Sequence, residues 1–177
     1  MSSSDINLPS RPRTRVLPPV PFACALCIGW WTNQLAVADL RWATEETFQV
    51  LLKQLGWATI TGGLLLMLWS VITLWRHRTT VNPFGRASVL CTKGPFALSR
   101  NPIYLADFLI LMGGGWVLNS LWPLVLAPAI WWLIRHHVIA HEETFLREQF
   151  GATYEDYCLH VGRWFGRPKK TPARGRG

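Results

Sequence analysis

From Leu55 to Trp75 the chain carries no charged residue. A bilayer core ~30 Å thick is crossed by about 20 apolar helical residues, so this run predicts a transmembrane helix. Three more apolar stretches flank it. Val20 to Ala38 precedes it; Pro102 to Leu118 follows, interrupted by Asp107; Leu121 to about Ile139 comes after the short turn Asn119-Ser120. Half of the 177 residues are hydrophobic, 11 are Trp, and only 16% are charged, against ~25% in soluble domains. The expectation is an all-α, multi-pass membrane protein with about four transmembrane helices (20–38, 55–75, 102–118, 121–139) and a short cytoplasmic helical segment at the C-terminus. Residues 20–165 form one membrane domain between disordered basic tails, 1–19 and 166–177. Trp30, Trp31, Trp42, Trp57, Trp75, Trp116 and Trp122 lie near span ends, where indole rings anchor at the interface or pack between helices.

The net charge of +8 does not point to nucleic acid, because no basic and aromatic alternation accompanies it. It reads instead as orientation. Arg76, Arg78, Arg86, Lys93 and Arg100 lie between the second and third spans, and Arg11, Arg13 and Arg15 precede the first. The loop between the first two spans has only Arg41 and Lys53, offset by Asp39, Glu45 and Glu46. Basic residues collect on the cytoplasmic side, so both termini and residues 76–101 are expected there. A rival reading takes the first span as a secretory signal ending at Ala36-Val37-Ala38; the Trp30-Trp31 pair and nearby prolines fit it poorly. Cys24 and Cys27 have CxxC spacing, but they sit in an apolar run with no second pair and read as small helix residues rather than a metal or redox site.

Two polar stretches flank the last apolar hairpin. The first is Gly94-Pro95-Phe96-Ala97-Leu98-Ser99-Arg100-Asn101-Pro102-Ile103-Tyr104-Leu105. Pro102 is suited to the first position of a helix, and Asn101 to the cap before it. That alone explains the pair, but Arg100 and Tyr104 beside it make a helix N-terminus suited to anionic groups. Before it, Thr79 to Gly85 cannot run as helix past Pro83 and is expected to fold as a cytoplasmic loop. The second stretch is His136-His137, then His141-Glu142-Glu143. His137 and His141 are four apart and share a helix face. A zinc site is disfavoured, since Val138 stands where a metalloprotease helix has Glu; a solvated juxtamembrane helix is the plain alternative. Glu142 and Glu143 point about 100° apart, so one can face a pocket while the other faces water or a cation. Asp107, inside an apolar span, is expected to serve function or helix contacts rather than face lipid. Gly113-Gly114-Gly115 reads as close helix packing and a tight hairpin, and Gly151 as a helix stop.

Taken together, Gly94-Pro95-Phe96, Ser99-Arg100-Asn101-Pro102-x-Tyr104-Leu105, Glu142-Glu143-x-x-Leu146, Phe150-Gly151-x-x-Tyr154-x-x-Tyr157 and Val161-x-Arg163-Trp164 resemble the isoprenylcysteine carboxyl methyltransferase family. More loosely they resemble the phospholipid N-methyltransferases. The resemblance covers about 79–165. It implies an integral-membrane enzyme that uses S-adenosylmethionine on the cytosolic side and takes a lipophilic substrate from the bilayer, with membrane lipid around it. By position, Gly94, Arg100, Asn101, Pro102, Tyr104, His141, Glu142 and Glu143 would form the cofactor-binding set, with Glu142 or Glu143 on the cationic end of the cofactor. Asn101 stands where the family has His. Asn does not titrate near neutral pH, which favours a positioning role there. Arg163 or Arg135 is suited to orienting a carboxylate acceptor; an amine acceptor needs a base, for which His137 or a Glu is available. The chain is thus expected to methylate a lipophilic acceptor, with a carboxylate such as that of a prenylated cysteine favoured. Two other readings are an NADPH-dependent membrane reductase of the sterol-reductase type and a non-catalytic membrane protein.

Overall fold

In the computed structural model, the described residues are 18–35, 42, 44–77 and 89–166. They contain α1 (Pro19–Leu35), α2 (Glu46–Arg76), a 3-10 turn (Gly94–Ala97), α3 (Pro102–Val117), α4 (Trp122–Leu133), a π-helical segment (Ile134–Ile139), α5 (Ala140–Phe150) and α6 (Ala152–His160). No strand occurs among them. The expected tails, the Thr79–Gly85 loop, the residues around Ala36–Asp39, and Arg41, Arg78 and Arg86 lie outside the described residues.

The apolar hairpins fold as helices, but the span lengths differ from expectation. Two helices are long and apolar enough to cross a membrane: Glu46–Arg76 and the continuous Trp122–Phe150. With 17 and 16 residues, α1 and α3 reach only about 25 Å at ~1.5 Å per residue, short of a ~30 Å core. The second span begins nine residues before the expected Leu55. Glu46, Lys53 and the residues among them continue the helix because nothing there breaks it. The fourth does not end near Ile139; it runs on through the π segment into α5.

Large apolar side chains cover the outside of α2. Leu51, Leu55, Trp57, Leu64, Leu65, Leu68, Trp69, Ile72 and Trp75 are all exposed. A contiguous apolar surface of this kind marks a membrane-facing wall rather than a water-facing one. Trp30, Trp31, Trp57 and Trp75 are exposed, as interfacial anchors should be. Trp42 and Trp116 instead pack edge to face at 6.4 Å, and the Trp42 indole donates to the Ser120 carbonyl at 3.0 Å.

Glycine sets the packing. A Cβ on Gly56 of α2 would lie 2.7 Å from the Gly113 carbonyl oxygen of α3, and one on Gly113 would lie 2.6 Å from the Gly56 oxygen. Seven residues on, a Cβ on Gly63 would meet the Ala106 oxygen at 3.0 Å. The order is reversed along the two helices, so they run antiparallel with backbones in near contact, as small residues allow in membranes. The next two glycines serve other neighbours: Gly114 receives Leu26 of α1, and Gly115 lets Ser120 and Pro123 of the α3–α4 turn close in. The expected packing role of Gly113-Gly114-Gly115 is borne out in this way. Between α1, α3 and the long fourth helix lies a core of Phe22, Ala25, Tyr104, Leu111, Ile130, Ile134, Val138 and Ile139.

Gly113→Ala should lower the unfolding midpoint of the detergent-purified chain, consistent with an overpacking cost of about 1–3 kcal/mol. Gly62→Ala, whose Cβ would meet nothing within 4 Å, should leave the midpoint unchanged or raise it slightly, since Ala favours helix over Gly by ~0.5–1 kcal/mol. Equal loss in both variants would contradict close α2–α3 packing.

Candidate functional site

The stretch from Gly94 onward folds back against α2. Gly94 takes φ of +60°, a conformation Gly adopts without strain, and a Cβ there would lie 3.1 Å from Thr73 Oγ1. Gly94 therefore packs against α2, where it fixes the start of the turn. Pro102 opens α3 as expected, and Asn101 occupies the N-cap position. The Asn101 side chain makes no cap hydrogen bond; its Nδ2 donates to the Arg163 carbonyl at 2.9 Å. Ser99 Oγ donates to that same carbonyl at 3.2 Å, and the Arg100 N–H donates to the Gly162 carbonyl at 3.0 Å. Asn101 thus clamps the C-terminal segment to the start of α3 instead of capping the helix.

This clamp aims Arg163 at α5. Its Nε donates to Glu143 Oε1 at 2.9 Å and its Nη2 to Oε2 at 2.6 Å. Such a two-pronged pair fixes geometry as well as charge. Arg100 Nη1 lies 3.2 Å from Glu143 Oε1 and also donates to Cys158 Sγ at 2.7 Å and Tyr154 Oη at 3.4 Å. A third guanidinium, Arg147, stands 3.9 Å from Oε2, one turn on along α5 and half exposed. Glu143 is buried, so the carboxylate is compensated within the protein. That contact raises the Arg163 pKa further, the hydrogen bond to Glu143 being the main cause. Burial raises the Tyr154 and Tyr157 phenols, the Glu143 carboxylate adding to it for Tyr154, so both stay neutral hydrogen-bonding groups. The Tyr157 hydroxyl donates to the Phe96 carbonyl at 2.6 Å, and Tyr154, Tyr157 and Val161 form a small second core against Leu90 and Leu146.

Glu142 takes a different partner. The Tyr104 hydroxyl, from the first turn of α3, donates to Glu142 Oε1 at 2.9 Å. The adjacent carboxylates are therefore split, one to a phenol and one to guanidinium groups. Adjacent residues of an α-helix diverge by about 100° in any case; the π segment just before them sets which way each one points. A π turn inserts an extra residue into the helix and rotates all that follows. Ile134, Val138 and Ile139 all become fully buried, and α5 enters with Glu143 facing inward.

The same rotation carries the histidines away. His137 and His141 are exposed, and His137 lies against the Trp132 ring at 5.5 Å. Arg135 sits over the Trp131 ring, 4.9 Å from its centre. The structure therefore brings together Arg100, Asn101, Pro102, Tyr104, Glu142, Glu143 and Arg163, and leaves Arg135, His137 and His141 outside that cluster. His137 and His141, expected to share a helix face, both point outward, His137 from the π segment and His141 from the first turn of α5. Sequence reasoning did not assign Tyr154 and Cys158 as partners of Arg100, or Trp164 as a neighbour of the site. The Tyr154–Tyr157 spacing after Gly151 was the available signal for the first. Trp164 packs on Phe108 at 6.0 Å between ring centres, and its buried Nε1 has no hydrogen-bond partner; neither has the buried Nε of Arg100.

Removing the Glu143 charge leaves Arg100 and Arg163 without their counter-ion. Glu143→Gln should destabilise the chain by about 3 kcal/mol and free the segment after Val161. The checks are the thermal unfolding midpoint and the protease sensitivity of the C-terminal segment. Glu142→Gln, which keeps an acceptor for Tyr104, should cost much less.

Compared with known proteins, residues 52–153 match the phospholipid methyltransferase family. No curated protein and no solved structure matches the chain significantly. The matched region covers more than half of the 177 residues and takes in α3, the π segment and the Tyr104–Glu142 and Arg100–Glu143 contacts. The chain belongs to the phospholipid methyltransferase family, a family of membrane methyltransferases that use S-adenosylmethionine.

Proposed function

We propose that the cluster at the start of α3 and on α5 transfers a methyl group from S-adenosylmethionine to a lipophilic acceptor at the cytoplasmic membrane face. The observation that carries this is the division of labour between Glu142 and Glu143. Glu143 is neutralised by Arg163 and Arg100, whereas Glu142 has the Tyr104 phenol and no cation among the described residues, which leaves it available to a cationic ligand. The amino-acid end of the cofactor presents an ammonium and a carboxylate. Glu142 is the acceptor for the ammonium. Arg100 Nε and Trp164 Nε1, buried donors without partners, suit the carboxylate. Those groups fit the cofactor.

The cofactor supplies a methyl already activated on sulfonium. The protein's work is to hold the acceptor in line and exclude water. Tyr104 fixes Glu142, Asn101 and Ser99 fix the backbone of Arg163, and Trp164 and Phe108 form an apolar wall beside the site. Arg163 uses Nε and Nη2 on Glu143, so an acceptor carboxylate such as that of a prenylated cysteine would meet its remaining Nη1. Four membrane crossings, the short helices α1 and α3 meeting a locally thinned bilayer beside the two membrane-length helices, with both termini and the site cytoplasmic, complete this reading, and the acceptor enters from the bilayer. The family match favours a second acceptor, an amine of a phospholipid; Asp107, buried three residues after Tyr104 on α3, is a carboxylate that would take the proton its ammonium must lose before the nitrogen lone pair can accept the methyl.

Full-length chain in nanodiscs of native lipid, given methyl-labelled S-adenosylmethionine, should label a lipid-extractable product. Label released by mild base identifies an ester; label that resists it identifies an amine. Glu142→Gln should weaken cofactor binding by tenfold or more in calorimetry, while Glu148→Gln should not. Binding of NADPH without S-adenosylmethionine would overturn the proposal in favour of a reductase.

A further inference from the structure

The opposite end of the bundle carries a second concavity. It is a cleft of about 390 Å³ bounded by the end of α1 (Trp30, Asn33, Gln34), the beginning of α2 (Gln49, Lys53) and the α3 terminus at Leu118. That volume lies within the range of ligand sites, ~300–1,000 Å³. Asn33 is held in place by donating to the Leu118 carbonyl at 2.5 Å, and Asn119 by accepting from the Trp42 N–H at 3.2 Å.

The depth of this cleft says what could reach it. Gly94 packs beside Thr73, and Lys53 lies twenty residues earlier on the same helix. At ~1.5 Å per residue the two ends stand about 30 Å apart, one hydrocarbon thickness. The cleft therefore lies at the membrane boundary opposite the Glu142–Glu143 cluster. Trp30 and Trp57 are exposed at that level, where indoles favour the headgroup region. Trp57 is one turn further into the membrane than Lys53, and Leu64 lies two turns beyond Trp57 on the same face of α2; both are exposed, so an apolar stripe descends from the cation.

The charge of the lining is one-sided. Among the described lining residues Lys53 is the single ionised side chain, and none of them is a carboxylate. Lys53 makes no ion pair among the described residues, and its side chain is exposed. An anion would find a cation there; the nearest described carboxylates at the start of α2, Glu45 and Glu46, lie about 10 Å outward of Lys53 along the helix and outside the lining, so the ammonium of a zwitterionic headgroup would find no partner within the cleft.

We propose that this cleft binds the phosphodiester of an anionic phospholipid from the leaflet opposite the methyl-transfer cluster. The Lys53 ammonium meets the phosphate, Gln34 supplies an amide to the headgroup oxygens, and one acyl chain runs along Trp57 and Leu64. The inference rests on the cleft and on membrane residence, and it stands whichever acceptor the other end methylates.

Native mass spectrometry of the detergent-solubilised full-length chain, titrated with dioleoylphosphatidylglycerol or dioleoylphosphatidylcholine, tests it. The wild type should hold one phosphatidylglycerol more tightly than any phosphatidylcholine. Lys53→Gln should weaken that binding about fivefold, the effect expected of one lysine near an anionic headgroup. Lys53→Arg should retain it, which separates charge from misfolding, and Lys93→Gln at the other end should leave it unchanged. Millimolar inorganic phosphate should not displace the lipid. Equal binding by wild type and Lys53→Gln, equal binding of the two lipids, loss in Lys93→Gln, loss in Lys53→Arg with an unaltered unfolding midpoint, or displacement by phosphate alone would each overturn the proposal.

Discussion

A buried carboxylate must be compensated inside the protein, and much of the architecture around Glu143 follows from that requirement. An isolated charge removed from water costs several kcal/mol. Arg163 answers it with two parallel hydrogen bonds and Arg100 with a third contact. These two residues are far apart in sequence, one just before α3 and the other beyond α6. Holding both on one carboxylate draws the C-terminal segment across the start of α3. Asn101 and Ser99 then bond to the backbone carbonyl of Arg163, so backbone and side chain of the same residue are fixed from two directions.

The rigid floor beneath this cluster is the α2–α3 pair. Gly56, Gly63 and Gly113 let two backbones approach where any side chain would collide. Because α3 is thereby set against a helix long enough to cross the membrane, its first turn is held at one end of that helix, and Tyr104 is delivered to Glu142. The Gly94 turn braces the same end against Thr73. The π segment supplies the remaining adjustment: by adding a residue to the fourth helix it rotates α5, so that Glu143 meets Arg163 and Glu142 meets Tyr104. The result is a site with one carboxylate committed to structure and one left with a neutral phenol.

Much of this was legible before any coordinate. The helical character of the apolar stretches, the opening of α3 at Pro102, the glycine packing and the stop at Gly151 all depend on local rules, because they turn on one residue's backbone freedom or on a run of similar side chains. The opposed directions of Glu142 and Glu143 were legible for the same reason. The reach of the helices was less so: Glu46 to Gln54 is polar enough to read as a loop, yet it contains no breaker and continues α2. The Asn101 side chain was misjudged because its partner, the Arg163 carbonyl, is 62 residues away. The outward exposure of the histidine pair was not legible, because a π turn leaves no mark in composition.

The sequence by itself determined that this chain is helical and apolar enough for membranes, and it named the two polar stretches that meet, since hydropathy and turn chemistry are properties of short segments. Only the tertiary structure decided which carboxylate is neutralised and which is left with the phenol. It also decided that Arg163 and Arg100 share one partner, and that a cationic cleft lies a membrane's thickness away. Those outcomes depend on which surfaces meet after the backbone has been packed, and no local pattern encodes a distance between residues dozens of positions apart.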